Sequence, residues 1–295
     1  MLTANLCIDY LIGIHFTHIS VMTELYKDIY TLIIDFLPDE YICVLKLVNK
    51  TFASIPRVQK SSRSLLDRWA ARHGYLQLCQ KFHLIKSGLW LYEEAAEHGQ
   101  LEIVKWLHEQ GVPMNRYIMS YAALNDNLDL LEHLHQLDIS KDYACESAAS
   151  KGHVSVLKWL RQHNYSWNEG TCSAAAKGGH LETLQWCHQN GCPWNSHTTL
   201  EAACNGRVDI LIYSRQQGCS SYPTPLLFTY AVNNGHLDVI KYLIAEGCHC
   251  DEDSILTAIA CRHIHILLWF KEQGYLVGDR IIQRLRDYGY EHLIA

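Results

Sequence analysis

The sequence predicts an all-α fold, a solenoid in which short helical repeats stack one on the next. Three observations predict it. A segment returns about every 27 residues, two glycine-like positions within each copy keep one spacing, and the apolar residues between them recur at helical intervals.

The unit reads AAEHGQLEIVKWLHEQG at residues 95–111. It returns as AALNDNLDLLEHLHQLD at 122–138, AASKGHVSVLKWLRQHN at 148–164, AAKGGHLETLQWCHQNG at 175–191 and AACNGRVDILIYSRQQG at 202–218. Looser copies at 231–247 and 258–274 make seven, and AARHGYLQL at 70–78 reads as a degenerate eighth. Each of the seven places Gly99, Asp126, Gly152, Gly179, Gly206, Gly235 or Arg262 twelve residues before Gly111, Asp138, Asn164, Gly191, Gly218, Gly247 or Gly274. Apart from Arg262, these residues tolerate a left-handed backbone, so both positions read as helix C-terminal caps.

The first cap closes a short helix whose alanine pair lets a neighbouring helix approach closely. Just beyond it stand Glu102, Asp129, Ser155, Glu182, Asp209 or Asp238, side chains favoured at a helix N-terminus. A second helix therefore begins there, with apolar residues such as Leu101, Val104 and Leu107, or Leu181, Leu184 and Cys187, at helical spacing. Such a unit cannot bury its apolar face alone and is stable only when stacked.

The string of an alanine pair, two free positions, Gly-His, an acid and an aliphatic run ending in Gly resembles the second half of the ankyrin repeat. Gly152-His153, Gly179-His180 and Gly235-His236 match its Gly-His step, and the resemblance covers about two thirds of the chain. The usual Thr-Pro-Leu-His opening is absent in these copies. The period is also shorter than the usual 33 or so, which points to a trimmed hairpin loop. An aromatic in helix two (Trp106, Trp159, Trp186, Tyr213, Tyr242, Trp269) and tails such as GCPWN at 191–195 are similar to repeat arrays of large DNA viruses, which would place the protein in a host cell.

The ankyrin resemblance implies a protein-binding strip on a concave face, made of the two residues after each alanine pair. These are Glu97 and His98, Leu124 and Asn125, Ser150 and Lys151, Lys177 with Gly178, Cys204 and Asn205, and Asn233 and Asn234. They differ from copy to copy while the frame does not.

Ahead of the repeats, residues 24–55 read as two helices broken at Leu37-Pro38, because proline cannot sit in a helix interior. Leu37, Pro38, Leu45, Leu47, Val48, Asn49, Lys50 and Phe52 stand where an F-box pattern asks, although its opening Leu-Pro is Leu25-Tyr26 here. The segment thus resembles an F-box. The resemblance implies docking on a Skp-type adaptor of a cullin-RING ubiquitin ligase through Leu25, Ile29, Leu37, Pro38, Leu45 and Val48. The alternative is a helical cap shielding the end of the stack, which solenoids require. The resulting division is an N-terminal extension (1–21), an F-box-like segment (22–60), a linker or degenerate repeat (61–90), ankyrin-type repeats (91–278) and a C-terminal capping helix (279–295).

Other chemistries find little footing. A net charge of -6 and a pI near 6.3 argue against nucleic-acid binding. The apolar residues 1–21 lack a basic start and carry Asp9, His15 and His18, which argues against a signal peptide or membrane span. Twelve cysteines in a chain able to build its own core read as reduced thiols of an intracellular protein, cytoplasmic or nuclear. Cys187, His188, Cys192 and His197, and Cys248, His249 and Cys250, lack zinc-ligand spacing, and most histidines recur by register, so capping or packing explains them. No phosphate loop or nucleophile constellation stands out. The expectation is no enzyme, no cofactor and no metal, with the helix-two aromatics in the core.

Overall fold

The computed structural model describes residues 68, 70–81, 89–137, 139 and 143–294. The F-box-like segment, with Leu25, Ile29, Leu37, Pro38, Leu45 and Val48, lies outside the described residues, as do the 1–21 extension and Asp138. Among the described residues every regular element is helical and none is a strand. The helices are α1 (Leu76–Lys81), α2 (Leu89–Glu97), α3 (Leu101–Glu109), α4 (Ile118–Ala123), α5 (Leu128–Gln136), α6 (Ala144–Ser150), α7 (Val154–Gln162), α8 (Glu169–Gly178) and α9 (Leu181–Gln189). There follow α10 (Ser196–Cys204), α11 (Val208–Gln216), α12 (Thr224–Asn234), α13 (Leu237–Ala245), α14 (Glu252–Ala260), α15 (Ile264–Glu272), α16 (Asp279–Asp287) and a 3-10 turn at Glu291–Leu293.

The chain divides into two compact units, one of residues 1–95 with 102–113 and one of residues 96–101 with 114–295. In the first, the degenerate copy keeps the repeat's turn: Gly74 is left-handed, and the Tyr75 amide donates to the Ala70 carbonyl at 2.9 Å. Glu94 is only 6% exposed and accepts from Arg68 Nε at 2.7 Å and from Arg72 Nη2 at 3.2 Å. A carboxylate taken out of water requires such partners.

In the second unit α4, α6, α8, α10, α12 and α14 lie side by side in one layer, and each is followed by its partner helix. The alanine pairs make the first layer close. Ala148, Ala149, Ala175, Ala176, Ala202 and Ala203 have no exposed surface, and side chains this small let α6, α8 and α10 pack backbone to backbone. Leu157, Leu160, Leu184, Leu211, Ile240, Leu243 and Leu267 fill the space behind them. Each such side chain contributes about 1.5–3 kcal/mol on burial.

Both predicted caps are present with one exchange. Gly99, Gly152, Gly179, Gly206 and Gly235 have positive φ, and so does Arg262 at φ 59. Asp126 does not; its turn closes through Asn127, whose side chain accepts from the Leu130 amide at 3.1 Å and donates to the Gly99 carbonyl at 2.9 Å. Elsewhere the residue after the cap returns its amide to the first alanine, as His180 does to Ala175 at 3.0 Å and His236 to Ala231 at 2.9 Å. That pairing satisfies a carbonyl the helix itself leaves open.

The conserved pattern of the Gly-His step within this chain has a second cause. His153, His180, His236 and His263 reach back one repeat and donate from Nε2 to the carbonyls of Leu124, Ser150, Cys204 and Asn233, at 3.0, 3.1, 2.8 and 2.9 Å. The ring lies against the preceding glycine, so a Cβ on Gly206 would stand 2.6 Å from His236 Nδ1 and one on Gly152 would stand 2.7 Å from His180 Nδ1. Glycine is needed there both for its φ and for the room it leaves.

The helix-two aromatics depart from the sequence expectation of a core stripe. Trp106 is buried, but Trp159, Trp186, Tyr213, Tyr242 and Trp269 are half-buried. They pack against the tails: Trp159 against His163 and Tyr165 of its own repeat, and Tyr213 against His188 and Trp194 of the repeat before it. The tails also start the next repeat. Asn115, Asn168, Asn195 and Asp251 accept amide hydrogens of the first helical turn, and the Cys192 and Cys219 thiols donate to the Asn168 and Asn195 carbonyls one repeat back.

The segment after 278 is a truncated further repeat. Helix α16 packs on α14 as a first helix would, burying Ile281 and Leu285. Gly289 is left-handed, Tyr290 returns its amide to Leu285 at 2.7 Å, and the second helix shrinks to the turn at Glu291–Leu293.

Candidate partner-binding surface

Because the alanine pair faces the neighbouring helices, the residues one or more turns upstream on the opposite side of each first helix face outward. The position five before the first alanine holds Trp90, Tyr117, Tyr143 and Leu226, and the position one before holds Tyr230. All five are exposed, and they make up half of the exposed large apolar side chains among the described residues. Within the second unit Tyr117, Tyr143, Leu226 and Tyr230 thus leave apolar surface in water on the side of the first helices away from the alanines.

Two clefts open on this face in the second unit and share Tyr143. One, of about 350 Å³, is lined by Tyr117, Ser120, Tyr121, Leu124, Tyr143 and Ser147 and is mostly apolar. Its rim aromatics Tyr117 and Tyr143 lie with ring centroids 6.2 Å apart, and the Arg116 guanidinium covers Tyr117 at 4.9 Å. The other, of about 300 Å³, is polar and is bounded by Tyr143, Cys145, Glu146, Trp167, Asn168 and Thr171, with Ser166 at its edge. Burial pushes the Cys145 thiol up to about 12.

The strip expected from the sequence lies at the C-terminal ends of the same helices. Glu97, Lys151, Lys177, Asn233 and Asn234 are exposed, whereas His98, Leu124, Asn125, Ser150, Cys204 and Asn205 are half-buried. Several side chains are engaged with their own helix: Ser150 Oγ donates to the Ser147 carbonyl, Asn205 Nδ2 to Glu201, and Asn234 Nδ2 to the Tyr230 carbonyl. Burial, then the Glu201 carboxylate, raises the Cys204 thiol above its ordinary range. Of the strip, Leu124 lines the apolar cleft.

Tyr117, Tyr121, Tyr143, Glu146 and Trp167 were not expected as contact residues. The signal that locates them is helical spacing: Tyr121 and Tyr117 lie three and seven residues before Leu124, and Ser147 and Tyr143 lie three and seven before Ser150. Reading only the variable pair after the alanines stops one turn short.

Among the described residues no three histidine, cysteine or acidic side chains are grouped to hold a metal ion, and no helix is long and apolar enough to cross a membrane. The ten described cysteines are all free thiols.

In comparisons with known proteins, the sequence model of the ankyrin repeat family matches residues 224–254. That stretch spans α12, α13 and the start of α14, and it opens on Thr224-Pro225-Leu226-Leu227, three residues of the usual opening with leucine in place of its histidine. Among solved structures the chain is similar to the ankyrin repeat domain of human ASB11, at 17% identity over 54% of this chain and 84% of that one, with a TM-score of 0.42. No curated protein matches the chain.

Proposed function

We propose that the chain is a protein-binding module whose partner lies across the outward face of the first helices, contacted by the aromatic register and by the variable strip at the helix ends. The observation that carries this reading is the repeated exposure of Tyr117, Tyr143, Leu226 and Tyr230 on one side of a frame whose other side is closed by alanines. The mechanism is selection by a rigid surface. Backbone caps and histidine bridges fix the spacing of successive first helices, so the partner pays little to order the site and specificity rests on which side chains each repeat displays.

The test is charge reversal at two exposed strip residues that no other side chain depends on. Lys151→Glu with Lys177→Glu should lower capture of the partner by about tenfold or more, the effect of 1.4 kcal/mol, while the melting temperature stays within a degree or two. Unfolding in place of lost capture would make these residues structural and end the reading.

The sequence of residues 22–60 supports a finer role, that of substrate receptor for a cullin-RING ubiquitin ligase with the repeats choosing the substrate. A Skp-type adaptor should then co-purify with the full chain and be lost on Leu37→Asp with Leu45→Asp. Absence of adaptor from well-folded full chain leaves an ankyrin scaffold or inhibitor with no ligase link.

A further inference from the structure

We infer that the polar cleft between Tyr143 and Trp167 is a receptor for one basic side chain, arginine or lysine, of the partner. The inference rests on the protein-binding reading above and names the chemistry that this part of the face selects.

The cleft has the parts a cation needs. Tyr143, exposed, and Trp167, half-buried, both line it. Glu146 and Asn168 line the same cleft, the Asn168 oxygens already accepting from the Gly170 amide and the Cys192 thiol. Aromatic rings attract cations through their quadrupole, and a carboxylate in the same cleft supplies the opposite charge. Among the described residues no basic side chain comes within ion-pair distance of Glu146. Arg161 is engaged on the Trp167 wall of the cleft, its guanidinium over that ring at 4.4 Å and donating to the Tyr165 carbonyl, which leaves Tyr143 and the Glu146 carboxylate to receive the partner's cation.

Two local features bear on the cleft. Gly170 occupies the first turn of α8 with an ordinary backbone, where almost any residue would serve the helix better. A Cβ there would stand 2.5 Å from Glu146 Oε1 and 2.8 Å from the capping Asn168 Oδ1, so the glycine leaves room for both side chains. Tyr143 holds φ 59 without making a side-chain cap bond, and 57% of it is exposed. Glycine would adopt that conformation freely; an aromatic held there points to contact outside the fold. The apolar cleft on the other side of Tyr143 would take the partner side chain next to the basic one.

The experiment uses the full chain and octapeptides of random sequence in which one central position is fixed as Arg, Lys, Gln or Glu. The Arg and Lys sets should be held at least tenfold better than the Gln and Glu sets. Glu146→Gln should erase that preference, and Tyr143→Gly should weaken binding of the basic sets although it relieves the backbone and leaves the protein as stable or more so. Retention that ignores the central residue, or that survives Glu146→Gln in a variant that melts normally, overturns the inference. Loss of all four sets on Lys151→Glu with Lys177→Glu, beside an unchanged Glu146→Gln, removes the cation site and leaves the binding face. Equal failure of the basic and acidic sets to bind also overturns it.

Discussion

At the residue scale, the Gly-His step joins one repeat to the next, and its two roles for glycine separate by mutation. Gly191 is left-handed with nothing near its missing side chain, so Gly191→Ala should cost only the backbone strain, about 1–2 kcal/mol. Gly206→Ala should cost about 1 kcal/mol more, because the new methyl displaces His236 from the Cys204 carbonyl. Urea denaturation of the two variants checks the difference, and equal losses would mean that the histidine bridge adds nothing. The caps give a second prediction. Asp251 accepts from Ser254 through its amide at 2.8 Å and its hydroxyl at 2.6 Å, and these bonds hold its carboxyl below the usual range. A carboxylate so lowered stabilises above its unfolded pKa and loses that contribution as pH falls through the folded value. Asp251→Asn should therefore keep the cap but flatten the acid side of the stability profile, while Asp251→Ala should lose about 1 kcal/mol at neutral pH. The glycine and alanine positions were legible in the sequence because their chemistry is local. The bridges were not, because the His180 ring acts on Ser150, thirty residues back, and only folding brings the two together.

At the scale of elements, the repeats could be read because each copy restates its own boundaries. What escaped was the relation between layers. The alanine pairs draw the first helices together, and the second helices, being farther apart, leave Trp159, Trp186 and Trp269 half-covered by the tails rather than enclosed in the core. Periodicity locates a face of a helix, but it does not say how deeply that face is buried. The C-terminal segment shows the same limit: a capping helix was expected there, but Leu285 in the alanine position and Gly289-Tyr290 in the Gly-His position pass unnoticed until the turn is seen. Because Ile281 and Leu285 are the only residues α16 buries, Leu285→Ala should cost about 2 kcal/mol or more. Amide exchange should place the lost protection in α14 to α16, and a loss spread evenly over all repeats would contradict the nearest-neighbour character of the stack.

At the scale of the whole molecule, the fold supplies a regular frame and leaves one repeated register of aromatic side chains in water. The two clefts at Tyr143 then give part of that face a specific chemistry, apolar beside anionic. The strip read from the sequence, Glu97 through Asn234, lies at the helix ends beside this register, and its Leu124 lines the apolar cleft. The measurement that tests the central claim most directly is site-specific photocrosslinking in cells that contain the protein. A benzophenone amino acid is placed in turn at Tyr117, Tyr143 and Leu226 on the first-helix face, and at the exposed Leu128 and Leu268 of second helices. The account predicts one common protein adduct from the first three positions, diminished by Lys151→Glu with Lys177→Glu, and none from the other two. Adducts confined to Leu128 and Leu268, or no adduct from the first-helix face, would contradict it.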